Sequence, residues 1–372
     1  MESEYHPETN DTDLTSEKEH SIYRMIVGSA QWAVTLGRFD IAYTVATLAR
    51  YSAAPKKGHL AAGIRLMGYL AGTSKAKILY DAREPDYTGV KPSESFWGDL
   101  YPDAKEEIDK SHPEPKGKPV VLSVFVDADH ARDVATRRSI TGIMAFLNNT
   151  PIRWYSKRQA TVESSTYGSE LVAARIATEM IWDMKYSLRS IGVPLKGPTH
   201  LFGDNQSVVT STTLPSSTLK KKHNAIAYHK IRETIAAGIM TFHHIPGTIN
   251  PADLLTKPLG PFIHKKLTHP LLHGNPHEVA GGGEYQTGRH PTWIETTADM
   301  ADAIAAKETN KPIGVIRGYG DAKSRPGKIK TQKGNVNEKG KEKIGIQKKN
   351  RDETHRGTIM ENQVPLHTTP RY

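Results

Sequence analysis

Hydrophobic and polar positions follow three different patterns along this chain. Between residues 16 and 71, apolar side chains recur three and four positions apart in "SIYRMIVGSAQWAVTLG" and "HLAAGIRLMGYLAG". That spacing predicts helices, with Gly72 as a stop for the later one. The intervening "FDIAYTVATLARYS" allows a third, and short loops between them suggest a small packed bundle. Across residues 86–119 the periodicity lapses into Pro, Lys, Glu and Gly, the composition of a linker. From residue 120 to about 258, strand-like and helix-like stretches alternate, as in an α/β or mixed-sheet domain. Beyond residue 277 the chain is rich in Lys and Gly with hardly any large apolar side chain, too little to fold alone. The expected organisation is a disordered N-terminus (1–15), a helical segment (16–85), a linker (86–119), a mixed α/β domain (120–260) and a largely disordered basic tail (261–372).

The central domain opens with "VLSVFVDADHARD". Its apolar run reads as a strand buried on both faces, yet it ends in Asp127 and Asp129. "RRSITGIMAFLNNTPIRWYSKRQ" places turn residues between two apolar stretches and predicts a hairpin. The first three strands are therefore expected to be adjacent, with the Asp-terminated one in the middle. "VESSTYGSELVAARIATEMIWDMKYSLRSIG" is the longest helix signal, capped by Ser164, Ser165 or Thr166 and stopped by Gly192. One stripe of it runs Glu170, Ala174, Ala177, Ile181, Met184, Leu188, so the buried face begins with a carboxylate. "THLFGDNQSVV" repeats the pattern of strand, acid and helix with Asp204. "HHIPGTINPADLLTKPL" gives a strand-like piece, a turn and a short helix, with Asn250 as N-cap, Pro251 first and Asp253 in the first turn.

Each of these acids has a plain structural role when taken singly. Glu170 suits a solvent-facing helix start, Asp204 an N-cap, and Asp253 the first turn of a helix. As a set they read differently. Asp127, Glu170, Asp204 and Asp253 each stand at a strand end or helix start, and strand ends of one sheet gather along one edge. Crowded carboxylates repel by roughly 4 kcal/mol per close pair at an effective dielectric near 20. Such a cluster needs protons or divalent cations. Ligands that are all oxygen point to Mg²⁺ or Mn²⁺, and two such ions about 4 Å apart would serve phosphoryl transfer.

Composition narrows the setting. The 372 residues contain no cysteine, which excludes disulfides and thiolate zinc sites and fits an intracellular, reducing compartment. The longest apolar runs are too short to cross a bilayer, and the acidic, polar first twenty residues resemble neither a signal nor a transit peptide. The net charge of +10 suits a polyanionic partner, although part of the surplus belongs to the tail.

The stretches "FVDADHARDVATRRSITG", "WYSKRQATVESSTYGSELVA", "LFGDNQSVV", "KKKHNAIAYHKIRE" and "HIPGTINPADLLTKPL" resemble, in order and spacing, the ribonuclease H domain of copia-type retrotransposon polyproteins. Upstream, residues 23–73 resemble the segment that joins the reverse transcriptase of such elements to that domain. The likeness spans roughly residues 23–259. It implies a ribonuclease H-like α/β fold, a mixed sheet flanked by helices, and endonucleolytic cleavage of the RNA strand of RNA–DNA hybrids with Mg²⁺ or Mn²⁺. By motif position it assigns the metal-binding acids to Asp127, Glu170, Asp204 and Asp253, with Asp129 and Glu163 in reserve. Lys220, Lys221, Lys222 and His223 form a basic stretch suited to gripping phosphates, or else an ordinary solvated helix start. Other departures are as informative. No Tyr-x-Asp-Asp polymerase motif, zinc knuckle or protease signature is present, so polymerisation is not expected and the missing reverse transcriptase parts are a possible partner. The loop before the last acid reads "PGTIN" where many ribonucleases H carry a histidine, and His243 and His244 precede Pro246. Two other readings compete: a retroelement remnant that binds nucleic acid without cutting, and an integrase-like relative, whose Asp-Asp-Glu order differs from the order here.

Overall fold

In the computed structural model, residues 6–87, 97–98, 100–219 and 222–274 are described. Lys220, Lys221 and the basic tail beyond residue 274 lie outside them. The chain begins with α1 (Glu17–Thr35), α2 (Ala42–Ala49) and α3 (Lys57–Gly72). Helix α1 starts where it does because Ser16 and Glu19 form a reciprocal capping box. Then come β1 (Leu122–Asp129), β2 (Ile140–Leu147), β3 (Thr150–Arg158), α4 (Thr166–Ser190), β4 (Thr199–Gly203), α5 (Gln206–Thr213), α6 (Ala225–Ala236), β5 (Met240–His244) and α7 (Pro261–Thr268). A 3-10 turn, Pro251–Leu255, precedes α7.

The five strands form one mixed sheet in the order β3-β2-β1-β4-β5. β1 and β2 run antiparallel, as do β2 and β3, whereas β4 and β5 run parallel to β1. This is a ribonuclease H-like α/β sheet, and the Asp-terminated β1 is its central strand. The β2–β3 hairpin turns at Asn148, whose positive φ of 52° is a conformation asparagine tolerates better than most residues.

Alternation along β1 divides its side chains between two cores. Leu122, Val124, Val126 and Ala128 pack under α4 and α6 with Leu171, Ala174, Ile181 and Ile231. The predicted α4 stripe does face the sheet: Ala174, Ala177, Ile181 and Met184 are all buried, and Glu170 heads the same face. On the other face Phe125, joined by Met144, Phe146 and Phe202, packs against Tyr23, Ile26, Val34 and Phe39 of the N-terminal helical segment and against Leu254 and Leu255. That segment is therefore the second layer of the sheet. Polar ties fix it there: Trp154 Nε1 donates to Val34 O at 3.0 Å, and Arg50 meets the buried Asp133 at 2.6 Å.

Order also reaches beyond two of the expected boundaries. Pro7 is buried and its carbonyl accepts from His59 Nε2 at 2.9 Å, so residues 6–15 are held in place. At the other end α7 follows residue 260, and Leu267, Leu271 and Leu272 join the second core. The apolar spacing of α7 was too short to stand out from the tail that follows it. Residues 97–119 contain no helix or strand among those described, but they are strapped to the domain. Trp97 is covered by the Arg232 guanidinium at 4.7 Å, and Arg189 binds both oxygens of Glu106 at 2.6 and 3.0 Å.

Candidate active site

The acids converge because of register. In the parallel β1–β4 ladder Val126 pairs with Gly203, so the next residues, Asp127 and Asp204, emerge side by side. Ser165 caps α4 by accepting from Gly168 N, which places Glu170 one turn into the helix and facing the sheet. Asn205, not Asp204, caps α5, and Asn250, not Asp253, caps the 3-10 turn. In each case a neighbour performs the capping, which leaves the acid's oxygens for other use.

Asp127, Glu170 and Asp204 each present an oxygen such that all three lie within 4.8 Å of one another. The environment opposes their ionisation. Glu170, buried and facing Asp127 and Asp204, is pushed well above the ordinary carboxylate range, although the Ala128 N–H donates to it. Burial, and then the Asp127 charge, raise Asp204 to about 6. The same two causes raise Asp253 to about 7. Asp253 falls outside the set of three but lies close enough to Asp127 for the two carboxyls to interact. A group of carboxylates crowded this closely, all oxygen and in part buried, fits a hard divalent cation.

The segment carrying Asp253 is laid across the end of β1 by specific contacts. Asn250 Nδ2 donates to Val126 O at 2.9 Å, Ser156 Oγ donates to Leu255 O at 2.6 Å, and Thr256 Oγ1 donates to Asp127 Oδ2. Gly142, the β2 partner of Asp127, makes this approach possible. A Cβ there would stand 2.7 Å from Ala252 O and 2.6 Å from the Thr256 methyl. Gly247, within "PGTIN", similarly gives room to Asp204, whose Oδ2 would lie 2.8 Å from a Cβ at that position.

Sequence reasoning passed over Lys257. It follows Asp253 by four residues, a helical spacing that was the available signal. Its Nζ lies 2.9 Å from Asp253 Oδ1 and 3.7 Å from Asp127 Oδ2. Although burial opposes its charge, Asp127 and Asp253 hold its ammonium above the usual lysine value. The reserve acids stand apart from the set of three. Asp129 faces Arg132 at 3.7 Å, and burial raises its carboxyl. Glu163 is buried with its Oε2 3.4 Å from His223 Nε2, which leaves His223 exposed at the start of α6 beside Lys222. Of the two histidines before Pro246, His243 is buried against Phe202 and His200, and burial lowers it to about 3. His244 Nε2 donates to the Asp204 carbonyl at 3.0 Å.

The chain is 31% identical over 249 residues to the retrovirus-related Pol polyprotein from transposon RE1 of Arabidopsis thaliana, covering 67% of this chain. It is 30% identical over 238 residues, 64% of this chain, to the corresponding polyprotein from transposon RE2 of the same plant. It spans 14% of the length of each. No family model matches. Among solved structures, LC11-RNase H1 in complex with an RNA/DNA hybrid aligns with 36% of this chain and 93% of its own, at 15% identity and a TM-score of 0.29. A score that low adds nothing to what the strand order shows. Among the described residues no helix is long and apolar enough to cross a membrane.

Proposed function

We propose, on the premise that this chain is homologous to part of the Pol polyproteins of copia-type transposons, that it is a ribonuclease H hydrolysing the RNA strand of RNA–DNA hybrids. The observation that carries this reading is the convergence of Asp127, Glu170 and Asp204 within 4.8 Å at the end of the central strand. Magnesium or manganese is the cofactor this donor set fits, held by these three acids and by Asp253. Two bound ions would activate water and stabilise the leaving oxygen.

The chain's own residues hold that arrangement in place. Thr256 donates to one oxygen of Asp127 and so fixes the orientation of that carboxylate. Asn250 ties the Asp253 segment to β1. Burial holds Glu170 facing the sheet. Lys222 and His223, just before α6, offer donors to phosphates of the hybrid, and Lys220 and Lys221 precede them in the sequence. Discrimination of RNA from DNA would rest on the 2′-hydroxyl.

The test is incubation of the purified chain with a labelled RNA–DNA hybrid and Mg²⁺ or Mn²⁺. Metal-dependent cutting of the RNA strand by wild type, absent in Asp127→Asn, is expected. Salt-sensitive binding of the hybrid without cutting above the Asp127→Asn control would favour a remnant that only binds nucleic acid.

A further inference from the structure

The carboxylate cluster contains a cation of its own, and its placement divides the acids into two sets. Asp127, Glu170 and Asp204 form one set whose oxygens lie within 4.8 Å of one another. Asp127 and Asp253 form the other, with Lys257 Nζ against both at 3.7 and 2.9 Å. Asp127 belongs to both sets, as a carboxylate bridging two cation positions would. The ammonium also bears electrostatically on Glu170, Asp204 and Asp129. It is the charge that makes this crowding of acids tolerable before any ion binds. Its side chain is 34% exposed, so the flexible four-carbon stem has an open route out toward solvent.

Resting on the ribonuclease H reading, we propose that Lys257 occupies the second cation position as a tethered ammonium and sets the order in which ions load. The first divalent ion binds at Asp127, Glu170 and Asp204. A second can bind between Asp127 and Asp253 only after Lys257 has left them, because an ammonium and a divalent ion so close would repel each other. Lys257 is thus a positioning residue. Tethering keeps its charge at the site at a high effective concentration, so the second ion must compete with it. The affinity of the second position for ions is therefore lower than its carboxylates alone would give.

The test is a Mn²⁺ titration of the full chain without hybrid, following free Mn²⁺ by electron paramagnetic resonance, with circular dichroism reporting the fold. Wild type is expected to bind one ion, with any second at least about tenfold weaker, a difference of about 1.4 kcal/mol. Lys257→Met and Lys257→Gln should bring the second ion to an affinity comparable with the first. Lys257→Arg, which keeps the charge, should still bind one. Two ions of equal affinity in wild type would overturn the proposal and leave the nuclease reading standing, and that result needs no variant to fold. A single ion in folded Lys257→Met and Lys257→Gln would also overturn it. No ion bound to wild type at millimolar Mn²⁺ would overturn the nuclease reading and the proposal together.

Discussion

Replacing Asp204 by asparagine should stabilise the metal-free protein, and the gain should depend on pH in a defined direction. Asp204 has its proton affinity raised from an ordinary 3.8 to about 6, first by burial and then by the neighbouring Asp127 charge. The folded state therefore holds that proton more tightly than the unfolded chain. Wild type loses stability as pH rises between about 4 and about 6, and the loss is complete above that range. Two units at about 1.36 kcal/mol each come to about 3 kcal/mol, trimmed toward about 2 kcal/mol because the carboxyl is partly exposed. Relief of the repulsion on Glu170 acts in the same direction. The neutral amide of Asp204→Asn carries no such cost, so the variant should match wild type near pH 3.5 and exceed it at pH 7. At about 2–4 °C per kcal/mol, the higher-pH advantage amounts to about 4–8 °C in melting temperature. The assay is thermal and urea unfolding in EDTA at a series of pH values. Saturating Mg²⁺ should close the gap, since ligand at a hundredfold its Kd stabilises the intact site by about 2.7 kcal/mol. A variant less stable than wild type at pH 7 in EDTA, or a difference that does not change with pH, would refute the reasoning.

Two further outcomes follow from the packing. Gly142→Ala should cost about 1–3 kcal/mol, because the added Cβ meets Ala252 O at 2.7 Å and Leu255 Cβ at 2.9 Å; an unchanged urea midpoint would contradict this. A fragment of residues 120–274 should bind a hydrophobic dye and lose sharp side-chain NMR signals. It exposes Phe125, Met144, Phe146 and Phe202, each worth about 1.5–3 kcal/mol when buried, and a well-dispersed spectrum would show that the sheet needs no N-terminal layer.

Much of this architecture is legible in the letters because local rules and tertiary placement agree. The unbroken apolar run of β1, the Asn turn before β3 and the 3.6-residue stripe from Glu170 to Leu188 each agree with what the fold buries or turns there. The stripe mattered most for the site, since it aims Glu170 inward while the helix-start position alone would allow it to face solvent. Capping assignments were less readable. Asn250 reads as the cap in "NPAD" and is one, but in "GDNQ" the residue offered as a cap is Asp204, and the structure shows that its neighbour Asn205 does the capping.

What could not be read depends on pairings between distant segments. Apolar spacing in α1–α3 predicts a bundle, but says nothing of the Phe125 face that those helices cover, because the sequence does not record which layer meets which. Gly142 looks like an ordinary strand residue until its register opposite Asp127 and the approach of Ala252 are known. Lys257 sits in a stretch dominated by Pro and Leu, where a lysine is most often a solvated side chain. Its meaning comes from Asp127, far earlier in the chain.

The account rests on oxygens of Asp127, Glu170 and Asp204 sharing a divalent ion, and anomalous diffraction from crystals grown with Mn²⁺ tests that most directly. The expected result is an anomalous peak within about 2–2.3 Å of an oxygen from each of these three residues, the distance hard cations of this size take. Peaks bound elsewhere on the surface, with none among these three carboxylates, would contradict it.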